Sequence, residues 1–134
     1  MPSRFHQGAG YRSGLERRVQ ADLTKRGVGF LYEPGPIEYT KSHKYTPDIY
    51  LENGILIEVK GRFTSADRTK HLMIKRQHPE LDIRFVFQAP YNTLNRRSKT
   101  TYADWCERHG FMWADNNIPQ EWIDEDGYRT LFTD

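Results

Sequence analysis

The stretch from Thr46 to Gly61, TPDIYLENGILIEVKG, constrains this chain more than any other, because it sets two short extended segments on either side of Asn53-Gly54 and places Asp48, Glu58 and Lys60 on them. Asn-Gly between alternating apolar residues is a strong hairpin signal, so the segments are expected as neighbouring antiparallel strands. Side chains alternate along a strand. Ile55, Ile57 and Val59 therefore share one face, while Glu58 and Lys60 share the other at a separation of about 7 Å. Two carboxylates at the ends of adjacent strands can hold a hard divalent cation through oxygen, and an ammonium two residues beyond the second can position or deprotonate a water. The chemistry suggested is phosphodiester hydrolysis.

Register decides whether the two carboxylates meet. A plain two-residue turn at Asn53-Gly54 sets Asp48 opposite Val59, on the wrong face. A three-residue loop of Glu52 to Gly54, or a bulge beside Gly54, brings Asp48 opposite Glu58, so the reading carries a one-residue offset as its structural expectation. The bland alternative is that Asp48 caps a turn after Pro47 and that Glu58 and Lys60 are ordinary charges on a solvated strand.

Size and charge bear on that choice. With 134 residues and a mean hydropathy of −0.85, the chain suits one compact domain with a modest core. No apolar run is long enough for a membrane span or signal peptide, so a soluble intracellular protein is expected. The single cysteine, Cys106, excludes an intrachain disulfide and a cysteine zinc cluster, and reads as a buried helix residue beside Trp105. The net charge of +2 hides an uneven distribution. Residues 1 to 110 carry 19 Lys and Arg against 12 Asp and Glu, whereas the remainder carries Arg129 against six acidic residues. A basic body accompanying the candidate site suits a phosphodiesterase acting on nucleic acid, because phosphate neutralisation dominates such affinity.

Periodicity supplies the other elements. A helix is expected from Ser13, with Leu15, Val19 and Leu23 on one stripe and Gly27 as its stop. Val28 to Glu33 reads as a strand, Pro34-Gly35-Pro36 as a break, and Ile37 to Lys41 as a second extended stretch. Ser65 opens a helix that ends before Pro79, Ile83 to Gln88 is a buried strand, Lys99 to His109 a helix and Phe111 to Trp113 a short strand. This alternation favours an α/β fold, a mixed sheet flanked by helices. Trp105, Trp113 and Trp122 read as core around Phe85 and Phe87. Glu16 has two readings. Ser13-x-x-Glu16 is a capping box in which Glu16 serves the helix terminus. As a third carboxylate it can instead complete a second metal position, since phosphoryl hydrolysis benefits from two cations about 4 Å apart.

Several motifs carry a resemblance: Tyr11-Arg-Ser-Gly-Leu-Glu16, Tyr45-Thr-Pro-Asp48, Asn53-Gly-Ile55, Ile57-Glu-Val-Lys-Gly61, Lys70-His-Leu72, Gln77-His-Pro-Glu-Leu-Asp-Ile-Arg84 and Cys106-Glu-Arg-His-Gly110. Over about residues 11 to 123 the chain resembles the phage endonuclease I family, four-way (Holliday) junction resolvases of the PD-(D/E)xK nuclease superfamily. The resemblance implies a restriction-endonuclease-like fold in a domain-swapped homodimer. Residues 11–36 would be exchanged between protomers, 37–44 would form a bridge, 45–123 the nuclease core and 124–134 an acidic tail, all within a single nuclease domain. It implies that Asp48, Glu58 and the Val59 carbonyl hold one Mg²⁺ or Mn²⁺, that Glu16 from the other chain helps hold a second, and that Lys60 positions the nucleophilic water. Cleavage of branched DNA would leave a 5′-phosphate and a 3′-hydroxyl, in the cytoplasm of a phage host. The stretch from Tyr32 to Pro47 is somewhat shorter than the family's, and acidic Asp124-Glu125-Asp126 stands where the family has a basic tail. DNA contacts are therefore expected from the body: Arg12, Ser13, Arg17, Arg62, Lys70, Lys75, Arg76, Arg96, Arg97 and Lys99. His71 is placed either as a phosphate contact or as a structural histidine beside Leu72. Two other functions stay open, a sequence-specific restriction or repair nuclease on the same scaffold and a catalytically silent junction-binding protein.

Overall fold

The computed structural model describes residues 14–39 and 43–127. In chain order the elements are α1 (Gly14–Arg26), β1 (Phe30–Tyr32), β2 (Ile37–Tyr39), β3 (His43–Tyr45), β4 (Ile49–Leu51), β5 (Leu56–Lys60), α2 (Ser65–Gln77), β6 (Ile83–Phe87), α3 (Tyr102–His109), β7 (Trp113–Asp115) and α4 (Gln120–Asp124). A five-stranded sheet runs β1-β4-β5-β6-β7, and β2 pairs with β3 in a separate hairpin. The first three strands of the large sheet are antiparallel and the last three parallel, so the sheet is mixed, as the alternation of elements predicts. α2 is the crossover that parallel pairing of β5 and β6 demands.

Alternation along the central strands feeds two apolar layers. Ile57 and Val59 of β5 pack with Leu15, Val19 and Leu23 of α1 and with Ile118 and Trp122 near the C-terminal end. Leu56, Phe85 and Phe87 face the other way, into an aromatic layer with Phe63, Ile74, Tyr102, Trp105 and Cys106 beneath α2 and α3. β6 is buried at all five positions, as expected of a strand covered on both faces. Cys106 is a buried free thiol in that aromatic layer. Trp105 joins it, with its ring centroid 5.0 Å from that of Phe63, and half-buried Trp113 packs against it. Trp122 corrects the expectation. It belongs to the α1 layer, because its neighbour on β6 is Arg84, whose side chain alternates away from Phe85.

Element boundaries moved where local hydrogen bonds took residues out of the regular runs. Gly27 stops α1 with φ +73, and the Val28 amide turns back to the Leu23 carbonyl, so β1 begins only at Phe30. α3 starts at Tyr102 rather than Lys99, because Thr101 is its N-cap and makes an isolated bridge to Thr93. β7 starts at Trp113, since the Phe111 amide is spent on the Cys106 carbonyl around left-handed Gly110. No described helix is long and apolar enough to cross a membrane.

Candidate active site

The hairpin carrying the site has the offset register. Ile49 pairs with Ile57 and Tyr50 with Leu56, and the Leu51 amide donates to the Ile55 carbonyl at 2.9 Å. Three residues, Glu52 to Gly54, therefore form the loop, with Gly54 at φ +94, a value glycine adopts without strain. Continuing the register puts Asp48 beside Glu58, and the Val59 amide donates to Asp48 Oδ2 at 2.8 Å. The Asn53 side chain fixes the loop from both ends. Its Oδ1 accepts from the Ile55 amide at 3.3 Å, and its Nδ2 donates to the carbonyls of Trp122 at 2.8 Å and Glu125 at 3.0 Å.

Asp48 and Glu58 are 4% and 3% exposed, so the two carboxylates share a nearly dry site. Burial, and next the charge of Asp48, push the Glu58 carboxyl up to about 8, while Lys60, a hydrogen bond from Tyr45 and Lys70 pull the other way. Glu58 Oε2 accepts from the Tyr45 hydroxyl at 2.5 Å, and Lys60 Nζ lies 3.9 Å from Oε1. Lys60 is shared: its Nζ lies 3.2 Å from Asp67 Oδ1. Asp67 is set by a capping box at the start of α2, where its amide donates to Thr64 Oγ1 and its Oδ2 accepts from the Thr64 amide.

A divalent cation fits this donor set. Two buried carboxyls lie side by side, the charge of Asp48 opposing ionisation of Glu58, and the nearest ammonium is shared with Asp67. Val59 is placed to add its carbonyl. The Lys60 carbonyl accepts from Gln88 on the β6 side, so the alternating Val59 amide and carbonyl face the β4 side, where Asp48 takes the amide. Among the described residues no three His, Cys, Asp or Glu side chains form a group that could hold a metal ion, so a cation here would draw on the two carboxylates and the Val59 carbonyl.

The other expected residues divide. Glu16 is buried, on the α1 side, and its Oε1 accepts from the Tyr32 hydroxyl at 3.1 Å. Tyr32 pairs with Ile49, so Glu16 stands in the layer of Ile57 and Val59, on the face of the sheet opposite Glu58. Arg12, Ser13 and hence the Ser13 capping box lie outside the described residues. Lys70 reaches over the Tyr45 ring, 5.7 Å from its centroid. Arg62 is exposed and lines a cleft of about 320 Å³ with Thr64, Arg68 and Asn95 next to the site. Arg17, Arg76, Arg96, Arg97 and Lys99 are exposed. Lys75, further along α2, donates to the Gly110 carbonyl at 3.3 Å and covers the Phe111 ring. His71 corrects one of its two readings. It is fully buried, edge-on to Tyr45 and Phe85, and burial lowers its pKa to about 3, so it cannot meet a phosphate at the surface. Its Nε2 lies 3.9 Å from Glu58 Oε1.

Tyr45 and Asp67 touch the site without having been assigned a role there. For Asp67 the signal was Thr64-x-x-Asp67, a capping box immediately after the Lys60 strand. For Tyr45 the signal was weak, an aromatic three residues before Asp48.

A family model for phage endonuclease I matches residues 1–133. Endonuclease I of Escherichia phage T7 is 48% identical over 118 residues, covering 86% of this chain and 79% of that protein. Endodeoxyribonuclease 1 of Enterobacteria phage T3 is 48% identical over 126 residues, covering 92% and 83%.

Proposed function

This chain belongs to the phage endonuclease I family, and we propose that it is a Mg²⁺-dependent endodeoxyribonuclease, structure-selective for four-way and other branched DNA. The observation that carries this reading is the pairing of buried Asp48 and Glu58 across β4 and β5, with Lys60 two residues on along β5. Asp48, Glu58 and the Val59 carbonyl hold a Mg²⁺ or Mn²⁺. When bound, the cation polarises the phosphodiester and offsets charge developing on its oxygens. Lys60, kept in place by Asp67, orients the attacking water toward phosphorus. Glu16 helps hold a second cation. The products are a 5′-phosphate and a 3′-hydroxyl.

The working unit in this reading is a homodimer that exchanges residues 11–36, is bridged by 37–44, and has 45–123 as each nuclease core and 124–134 as an acidic tail. Glu16 then reaches the Asp48 and Glu58 pair of the other chain. Two sites at fixed separation can cut opposite strands of a junction, which makes DNA shape the recognised feature. The site is thus restriction-endonuclease-like, of the PD-(D/E)xK type.

The test is Mg²⁺-dependent cleavage of an end-labelled four-way junction beside linear duplexes built from its arms. Paired cuts near the branch point, absent from the duplexes, are expected. Equal cutting of both substrates would move the assignment to a general or sequence-specific nuclease. Tight binding without cutting would make the protein a silent junction binder.

A further inference from the structure

Glu58 is held from its far side by a group that the proposed chemistry does not use. Tyr45 ends β3, is 1% exposed, and points its hydroxyl at Glu58 Oε2 at 2.5 Å. That bond occupies one carboxylate oxygen. The other, Oε1, lies 3.9 Å from both Lys60 Nζ and His71 Nε2. The Tyr45 ring is itself fixed: the His71 ring stands edge-on with centroids 5.3 Å apart, and Lys70 Nζ lies above it at 5.7 Å. His71 is fully buried, its nitrogens hydrogen-bond to nothing among the described residues, and its ring is also edge-on to Phe85 at 4.9 Å. It therefore acts as an aromatic wall for Tyr45. Tyr45 reaches Glu58 from outside the large sheet, because β3 pairs with β2 alone.

We propose that Tyr45 is a positioning residue for the cation site: its hydroxyl holds Glu58 Oε2 so that Oε1 is turned toward the cation and Lys60. This rests on the reading of Asp48 and Glu58 as the cation ligands, and adds the residue that orients one of them. A carboxylate that binds metal with one oxygen gains by having the other hydrogen-bonded, since the bond removes rotamers in which the wrong oxygen faces the cation. Removing such a supporting partner typically weakens metal affinity or activity about 10- to 100-fold.

Tyr45→Phe removes the hydroxyl and leaves the ring. In the full chain the expected result is a Mg²⁺ concentration for half-maximal junction cleavage raised about 10- to 100-fold, with Mn²⁺ binding by calorimetry weakened by a similar factor and junction affinity in EDTA unchanged. The lost rate should return at high Mg²⁺, which a merely structural lesion would not allow. The melting-temperature penalty of Tyr45→Phe in EDTA should shrink in a Glu58→Ala background, because that change removes the acceptor of the same bond. If Tyr45→Phe does not fold, the double variant decides: cooperative melting restored by Glu58→Ala supports the proposal, and a double variant that also fails to fold overturns it. An unchanged cation requirement, or a penalty identical in both backgrounds, overturns it as well. The parent reading fails separately. A wild-type protein that neither binds Mn²⁺ nor cleaves with Mg²⁺ removes both claims, whereas an active wild type, an inactive Glu58→Gln and a Tyr45→Phe with the wild-type Mg²⁺ requirement remove only the role of Tyr45.

Discussion

Glu58 on β5 and Arg84 on β6 are buried charges on neighbouring strands that face opposite layers of the sheet, and their surroundings differ in kind. Arg84 is closed. Its guanidinium donates to Asp82 at 2.9 and 2.7 Å and to Glu125 at 2.7 and 2.8 Å, and it lies over the Trp122 ring at 5.2 Å. All three guanidinium nitrogens donate to carboxylate oxygens there. Glu58 is open. It has a second buried carboxylate beside it, a lysine shared with Asp67, and a neutral histidine 3.9 Å away that makes no hydrogen bond to it. A buried network with every partner present specifies structure, whereas one left with a surplus carboxyl, which a bound cation would ionise, is poised for something that is not protein.

The largest test of this contrast removes the surplus. Glu58→Ala should lower Mg²⁺-dependent junction cleavage on the order of a thousand-fold or more, the equivalent of several kcal/mol of transition-state stabilisation, while gel-shift affinity for the junction in EDTA stays near wild type. Cleavage at close to the wild-type rate would remove Glu58 from the site.

The next effect is on stability against pH and has opposite signs at the two titrating groups. Glu58, raised from 4.5 to about 8, keeps a proton in the folded metal-free protein that the unfolded chain gives up, so its contribution is present below pH 4.5 and is lost as pH rises through 8. His71, lowered from 6.5 to about 3, contributes stability that is present above pH 6.5 and is lost as pH falls toward 3. Between pH 6.5 and 8.5 only the first of these changes. Melting in EDTA should therefore fall over that range, by on the order of a few kcal/mol at most, with Glu58→Gln flattening the profile and Mg²⁺ raising it. A melting temperature that climbs from pH 6.5 to 8.5 would contradict the placement of Glu58.

The closed cluster should answer in the opposite way. Arg84→Met leaves Asp82 and Glu125 unpaired, but both carboxylates are half-exposed, at 49% and 41%, so water takes up part of the loss. Stability should drop by about 2 kcal/mol in urea melts, and cleavage per folded molecule should not change. The smallest test uses two alike helix starts. Thr64 and Thr101 both close capping boxes, with Asp67 and Asp104, but only Asp67 also holds Lys60. Thr→Ala at either should cost about 1 kcal/mol, and only the substitution at Thr64 should slow cleavage. Equal rates for the two variants would detach Lys60 from its cap.

The open site was largely legible because its parts lie within sixteen residues, where strand alternation and turn length act. Asp48, Glu58 and Lys60 and the offset that joins the first two follow from that local grammar. The closed cluster was not legible. Arg84 and Glu125 are 41 residues apart, and only packing of the chain after α4 against β6 brings them together. Tyr45 was missed for a similar reason, since its hydroxyl reaches Glu58 from a hairpin that lies outside the large sheet. α2 starts at Ser65 as expected, whereas Lys99 was compatible enough with helix to draw the expected start of α3 ahead of its cap at Thr101. Lys70-His71-Leu72 was visible as a motif, but which of its residues faces solvent depended on the sheet beneath, and that buried His71.

Surface loops ordinarily drift in length over evolution at little cost. The loop Glu52 to Gly54 is tied at Asn53 and sets which way every residue of β5 points. Adding or removing one residue there would exchange Glu58 and Lys60 for Ile57 and Val59 on the site-bearing face of β5, turning the site apolar and setting the carboxyl and the ammonium against the apolar layer of α1. Changes of two residues would preserve the facing. Among relatives descended with a working site, the lengths tolerated at this loop should therefore be counted in even steps, an inheritance rule written by the pleat of the strand.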